Sequence, residues 1–282
     1  MSLSLYTHAM YLFGSDLFFL LYSQGTDVSI VLENDLKGYG GTAMLELVNV
    51  KKYYKDNKAV DGVSFHVEAG EVLGLIGANG AGKSTTISMI ATLNKPDSGY
   101  IYYEGQDIVK NPYLMRKNLG YVPQEIALYP SLSGKDNLKF WGRANHVRGI
   151  RLRKRVNEVA ETIQITGKVL RRRVSSYSGG MKRRLNIGAA LLHEPKLIIM
   201  DEPTVGLDVE SRNQILEAVL KLKNQGVSII YAGHYMEEME KICDKICVID
   251  KGRCVLFGEI KELLGNNKSL EQLYLEVTGN RN

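Results

Sequence analysis

The segment GANGAGKST, Gly77 to Thr85, constrains the fold more than any other part of the chain. It lies between the apolar run EVLGLI and the helically spaced TISMIATL. Its spacing is G-x-x-x-x-G-K-[ST], and a strand before it and a helix after it are the setting that a phosphate-binding loop requires. Gly77, Gly80 and Gly82 let backbone N–H groups turn inward without a Cβ clash, while the following helix aims its positive end at an anion. Asn79 and Thr85 line the same cradle. Lys83 is placed to neutralise β- and γ-phosphate charge, and Ser84 to put its hydroxyl on Mg²⁺. An ordinary glycine-rich turn is the competing reading, and the full pattern in its strand–loop–helix setting decides against it.

A triphosphate–Mg²⁺ site needs a second carboxylate at the end of a neighbouring strand. KLIIMDEP supplies one: its apolar residues carry Asp201 and Glu202 to the C-terminal edge of a sheet, where α/β proteins bind ligands. Asp201 is suited to hold Mg²⁺ through water, and Glu202 to accept a proton from an attacking water. A kinase is disfavoured, because Glu202 is placed for water and no acceptor site is recognisable. Just upstream, YSGGMKRRLNIGAALLHEP presents Ser178, Gly179 and Gly180 ahead of a helix. Two readings stand side by side here, a simple helix N-cap and an anion site for a γ-phosphate at the same helix end.

The rest of the chain alternates strand with helix. LELVNV and GVSFHVEAG alternate like strands, GYIYYEGQDI reads as a hairpin arm, and LGYVPQ as a short strand. From about Leu138 to Val169 the chain is helical and charge-rich. The buried-type strands KLIIM and VSIIYAG flank the helical SRNQILEAVLKLKNQG, which Gly226 closes. ICVIDKGRCVLFG predicts a hairpin with a two-residue turn, and SLEQLYLEVTG a terminal helix. This alternation predicts an α/β fold of the P-loop NTPase kind, with a mostly parallel sheet flanked by helices on both faces. Residues 1–43 show no clear period and end in KGYGGTA before Met44, so we expect a leader or an extension outside the fold; an accessory hairpin is the alternative.

Bulk properties narrow the classes. A formal charge of +5 over 282 residues is too small to imply nucleic acid or an anionic membrane surface by itself. Cys243, Cys247 and Cys254 are an odd number of cysteines and suggest no disulfide framework. Cys243 and Cys247 are spaced to share a helix face, but no further ligand has zinc-like spacing, so buried core thiols are expected. No run reaches the ~18 apolar residues of a membrane-spanning helix; YLFGSDLFFLLY is short and broken by Asp16.

The cradle, YSGGM, IIMDEPTVGLD and AGHYMEE, in this order and spacing, resemble an ATP-binding cassette (ABC) ATPase subunit from about Leu45 to the C-terminus. The resemblance implies an ABC ATP-binding domain over 44–282, with an antiparallel β subdomain and a helical insert at about 125–178. It implies ATP and Mg²⁺ as ligands and a head-to-tail dimer, with each cradle facing the partner copy's signature segment. One copy of each motif then requires a homodimer or pairing with a similar ATPase. The resemblance also assigns roles: Tyr54 stacks on adenine, with Tyr53 adjacent; Gln124 touches Mg²⁺ or the lytic water; Asp208 crosses the dimer seam; His234 contacts the γ-phosphate. Tyr177 and Met181 stand where many relatives have Leu and Gln. That variant, and the ending SLEQLYLEVTGN, resemble the small single-domain ATPases serving export-type (ABC-2-like) permeases. The implied partner is a transmembrane permease, the implied location peripheral on the cytoplasmic face of the cell membrane, and no nucleic acid is expected.

The basic runs RGIRLRKR (148–155) and LRRRV (170–174) allow a nucleic-acid contact or a solvated helix face. The resemblance adds docking of the helical insert on a permease. A soluble ABC-type ATPase acting on ribosomes or nucleic acid is the alternative function. It ranks lower, because the chain has neither a second cassette nor a long coiled coil between Lys83 and Asp201.

Overall fold

The computed structural model of the chain describes residues 8–13, 16–21, 30–32, 43–265 and 268–279. Strands β1 (His8–Phe13), β2 (Asp16–Leu21) and β3 (Ile30–Leu32) pair antiparallel in that order. The rest of the expected leader up to residue 42 lies outside the described residues.

The main sheet has six strands. β6 (Val72–Ile76), β9 (Leu119–Val122), β10 (Leu197–Asp201), β11 (Ser228–Gly233) and β12 (Lys245–Asp250) run parallel, and β13 (Arg253–Glu259) closes the edge antiparallel to β12. Their order is β13-β12-β6-β11-β10-β9. The central strands β6, β10 and β11 are buried along their whole length, which explains their unbroken apolar sequences.

Alternate side chains of these strands enter two different cores. Val72, Ile76, Ile198, Met200, Ile229 and Val248 pack with the helical side: α6 (Gly179–Ala190), α7 (Val209–Asn224), α8 (Met236–Ile242) and α10 (Leu270–Gly279). Leu73, Leu75, Ile199, Ile230, Cys247 and Ile249 pack the other way, against α1 (Lys83–Ile90) and Met115 of α2 (Pro112–Asn118). Helices thus lie on both faces as expected, and on the second they share the cover with the antiparallel β subdomain that the resemblance implies. Most of the cover there is a four-stranded antiparallel sheet, in the order β5-β4-β7-β8, from β4 (Leu45–Tyr54), β5 (Asn57–Val67), β7 (Ser98–Tyr103) and β8 (Gln106–Asp107). Leu45, Leu47, Val60 and Val63 bring its apolar side into the core.

Between β9 and α6 lie α3 (Gly134–Ala144), α4 (Gly149–Thr162), α5 (Gly167–Leu170) and a 3₁₀ turn at Val174–Ser176. The helical run expected from Leu138 to Val169 thus starts earlier and is broken twice. The breaks fall where His146 and Gly149, then Gln164 and Gly167, take positive φ, a geometry no helix interior accepts. Ser133 caps α3 by accepting from the Asp136 N–H at 3.0 Å. Cys243 follows α8 and Cys247 lies in β12, so the two thiols do not share a helix face. The expected hairpin turn is present: Lys251 and Gly252 both have positive φ, as the twist of a tight two-residue hairpin demands. This turn braces the phosphate loop, for Gly252 N donates to Ala81 O at 2.8 Å and Asp61 N donates to Gly252 O at 2.7 Å.

Candidate functional site

β6 feeds directly into the glycine loop. A Cβ at Gly77 would stand 2.3 Å from Ile249 O, and one at Gly82 would stand 2.5 Å from Ala59 O. Both glycines are therefore fixed by close backbone packing. Gly80 differs: its φ is +80° and nothing lies within 4 Å of an added Cβ, so that part of the loop faces open space. No side chain caps α1, whose first residue is Lys83. A helix start left open in this way presents N–H donors to an anion.

Lys83 is buried and folds back over the loop, donating to Gly77 O at 2.6 Å and Ala78 O at 3.1 Å. Burial pulls its pKa down, while Glu202 and Asp201 push against that fall. Asp201 ends β10 and is buried too. Burial raises its pKa and neighbouring Glu202 adds to the rise, opposed by a hydrogen bond from Ser84 and by Lys83. An anionic oxygen held in this way, with a hydroxyl beside it, is a hard donor set that fits Mg²⁺.

Glu202 sits one residue beyond the strand with φ +47°, a backbone state uncommon for a residue with a side chain. Its N–H is held by Ala232 O at 2.9 Å. Gln124 Nε2 donates to Glu202 Oε2 at 3.2 Å, and His234 Nδ1 lies 3.6 Å from Glu202 Oε1. His234 is half-exposed and packs on Tyr235, ring centres 4.4 Å apart. Residues from three strand ends thus converge on one carboxylate, and Lys83, Ser84, Gln124, Asp201, Glu202 and His234 come together.

Ser178, Gly179, Gly180 and Asp208 form a second cluster. Ser178 caps α6, its Oγ accepting from Met181 N at 3.2 Å, and both Ser178 and Gly179 are exposed. The cap reading therefore holds and leaves the surface open to an outside ligand. Asp208 caps α7 through Ser211 N at 2.8 Å, a bond that holds its carboxyl below the usual range. Gly180 packs against Ser211 so closely that a Cβ there would lie 2.1 Å from Ser211 Oγ. Asn79 and Thr85 flank the glycine loop, Asn79 exposed and Thr85 half-buried. Tyr54 is 45% exposed, while the Tyr53 hydroxyl donates to Asp61 Oδ1 at 2.6 Å. Each ring has a lysine beside it, Lys52 Nζ 5.6 Å from the centre of Tyr54 and Lys58 Nζ 5.8 Å from that of Tyr53, so greater exposure and the absence of the Asp61 bond are what distinguish Tyr54.

Two buried networks escaped the sequence reading. Glu238 Oε2 accepts from Tyr231 OH at 2.6 Å and Thr204 Oγ1 at 2.8 Å, and Arg212 Nε lies 3.3 Å from Oε1. This anchors the turn between Glu202 and Asp208. The signal available was a tyrosine inside the otherwise aliphatic strand SIIYAG. Arg183, also buried, donates to Gln124 O at 2.5 Å and to Pro123 O at 3.3 Å. It ties the α6 helix to the loop carrying Gln124.

A model of the ABC transporter family matches residues 60–205. The linearmycin resistance ATP-binding protein LnrL of Bacillus subtilis (strain 168) is 47% identical over 236 residues, covering 84% of this chain and 76% of that one. The Nod factor export ATP-binding protein I of Paraburkholderia xenovorans (strain LB400) is 40% identical, covering 79% and 73%. A solved bacterial ABC transporter cassette, described as dimeric, superposes with a TM-score of 0.69 at 25% identity, over 77% of this chain and 99% of that one.

Proposed function

The chain belongs to the ABC transporter family and is an ATP-binding, ATP-hydrolysing subunit of it; from that premise we propose that it drives a separate permease in export. The observation that carries the proposal is the convergence of Gln124 and His234 on Glu202, beside Lys83, Ser84 and Asp201. Glu202 takes the proton of the attacking water, and its two neighbours keep the carboxylate aimed there. His234 reaches the γ-phosphate from the end of β11. Lys83 leaves the Gly77 and Ala78 carbonyls for the β- and γ-phosphates, while Gly77, Asn79, Gly80, Gly82 and Thr85 line the phosphate chain. Tyr54 offers its exposed ring to the adenine. Ser84 and Asp201, with Gln124, hold Mg²⁺, which supplies charge neutralisation on the phosphates.

Ser178, Gly179, Gly180 and Asp208 act on a second ATPase copy. Their exposed helix starts close over the partner's cradle, so two ATP molecules are buried at the seam of a homodimer or of a pair with a similar chain. ATP then does work by favouring the closed dimer over the open one. Among the described residues no helix is long and apolar enough to cross a membrane. The permease does the spanning, and this subunit sits on the cytoplasmic face, with its cassette from Met44 and its helical insert at about 125–178. Names of the relatives support export: one is a Nod factor export protein and another a linearmycin resistance protein. Affinity capture with Glu202→Gln and Mg-ATP from solubilised cells tests the proposal. A polytopic membrane protein is the expected companion; ribosomes or nucleic acid without one would overturn it.

A further inference from the structure

The helices α3 and α4 enclose a cleft of about 750 Å³ on the outside of the helical insert. Its charge is one-sided. Lys135, Lys139 and Arg143 line it from α3, Arg148 from the position just before α4 and Arg153 from α4, with no carboxylate in the lining. Asp136, just outside, accepts from Ser133 Oγ at 2.6 Å and pairs with Lys139 at 3.2 Å; the Ser133 bond first, then Lys139 and Lys135, hold its carboxyl below the usual range. Arg143, Arg148 and Arg153 make no ion pair among the described residues.

The other side of α4 is built differently. There Arg151 pairs with Glu194, Lys154 with Glu158 at 3.6 Å, and Arg155 with Glu158 at 2.6 Å. One helix thus carries a neutralised face and an unneutralised one, and the unneutralised face lines the cleft. Below the cations the floor is apolar, formed by Leu152 and Val156. Beside the cleft Ile150 is 84% exposed, an apolar side chain in water among arginines.

We propose that this cleft seats a phosphate-bearing anion, and that the anion is the headgroup of an anionic phospholipid at the membrane face. Guanidinium forks match phosphate oxygens in a bidentate manner, and three free ones converge here. The volume suits a compact ligand, whereas a protein helix with its side chains is about 10–12 Å across and would fit for less than two turns. The apolar floor and exposed Ile150 favour an amphiphile over a freely soluble phosphate, since cations beside an apolar side chain suit the membrane interface. The inference rests on the membrane-peripheral reading and goes beyond it by naming what this part of the insert touches.

The test is co-sedimentation of the full chain with vesicles of phosphatidylcholine alone or with a quarter phosphatidylglycerol, with ATP binding measured in parallel. Wild type is expected to bind only the anionic vesicles. Arg148→Gln/Arg153→Gln is expected to lose on the order of 30-fold, at about 1 kcal/mol per cation near the surface. Arg151→Gln/Lys154→Gln removes the same charge from the neutralised face and is expected to lose less than about 3-fold. Equal losses in both pairs would overturn the cleft, because binding would then follow net charge. No vesicle binding, with inorganic phosphate or glycerol phosphate binding that Arg148→Gln/Arg153→Gln abolishes, would overturn the lipid assignment. Intact ATP binding alongside any such failure refutes the cleft alone and leaves the ATPase reading standing.

Discussion

Replacing Gly180 by alanine sets two effects of opposite sign against each other. In an open helix position the change stabilises by about 1 kcal/mol through helix propensity. Here the new Cβ would stand 2.1 Å from Ser211 Oγ and 2.5 Å from Ser211 Cβ. Rotating Ser211 relieves the first overlap, at the cost of its 3.0 Å bond to Asp208 Oδ2. It cannot relieve the second, since that carbon is fixed to the α7 backbone. Carbon atoms settle at about 3.5–4.0 Å, so α6 and α7 must part by about an ångström. Overpacking costs about 1–3 kcal/mol, and a backbone-fixed carbon puts this case near the upper end. The net loss is then about 2 kcal/mol, or ~4–8 °C in Tm for a domain of this size. Thermal and urea unfolding measure it. Ser211→Gly removes both opposing atoms, so Gly180→Ala in that background is expected to be neutral or stabilising; Ser211→Ala keeps the Cβ and should not rescue. Gly180→Ala raising Tm in the wild-type background would refute the close approach of the two helices.

Three further outcomes are expected. Lys83→Ala should weaken ATP binding about 10- to 100-fold, the worth of charge-assisted hydrogen bonds, and unchanged affinity in a fluorescent-nucleotide titration would remove Lys83 from the cradle. Tyr54→Ala should weaken ATP binding about 3- to 10-fold, while Tyr53→Ala, which removes the other ring, changes it less than about 2-fold; the reverse pattern would move the adenine to Tyr53. His193 has its Nε2 2.9 Å from Leu119 O, and burial lowers its pKa from 6.5. The folded ring stays neutral while the unfolded one protonates, so its stabilising share is present above 6.5 and lost as pH falls through the folded value. His193→Gln should therefore flatten the decline of stability between about pH 7 and pH 5, and identical pH slopes would count against it.

The parts of the site legible in sequence were those whose chemistry needs residues at fixed spacing along one segment. Gly77 to Ser84 and Asp201-Glu202 are of that kind, and the geometry brings them together as their spacing implied. The hairpin at Lys251-Gly252 was equally local. Contacts between distant segments were not legible. Gly180 reads as part of a helix start until Ser211 is seen against it, and nothing in MKRRLN singles out Arg183, which lies buried on the Gln124 carbonyl. What shares the second face of the main sheet with α1 and α2 was legible only through the resemblance, for a related reason. Period alone shows that Leu73, Leu75 and Ile199 are buried, but a helix and a sheet cover an apolar face equally well. The helix breaks near His146 and Gln164 were hidden because non-glycine residues take the left-handed turn there.

In the function proposed above, the cradle and the Ser178–Asp208 surface form one site only when two chains meet. The most direct test is the molar mass of Glu202→Gln, measured by light scattering with and without Mg-ATP. The expected mass is that of the 31.5 kDa chain alone without nucleotide and about twice that with Mg-ATP, the dimer held because hydrolysis cannot reopen it. A mass that stays at one chain while ATP is demonstrably bound would contradict the claim.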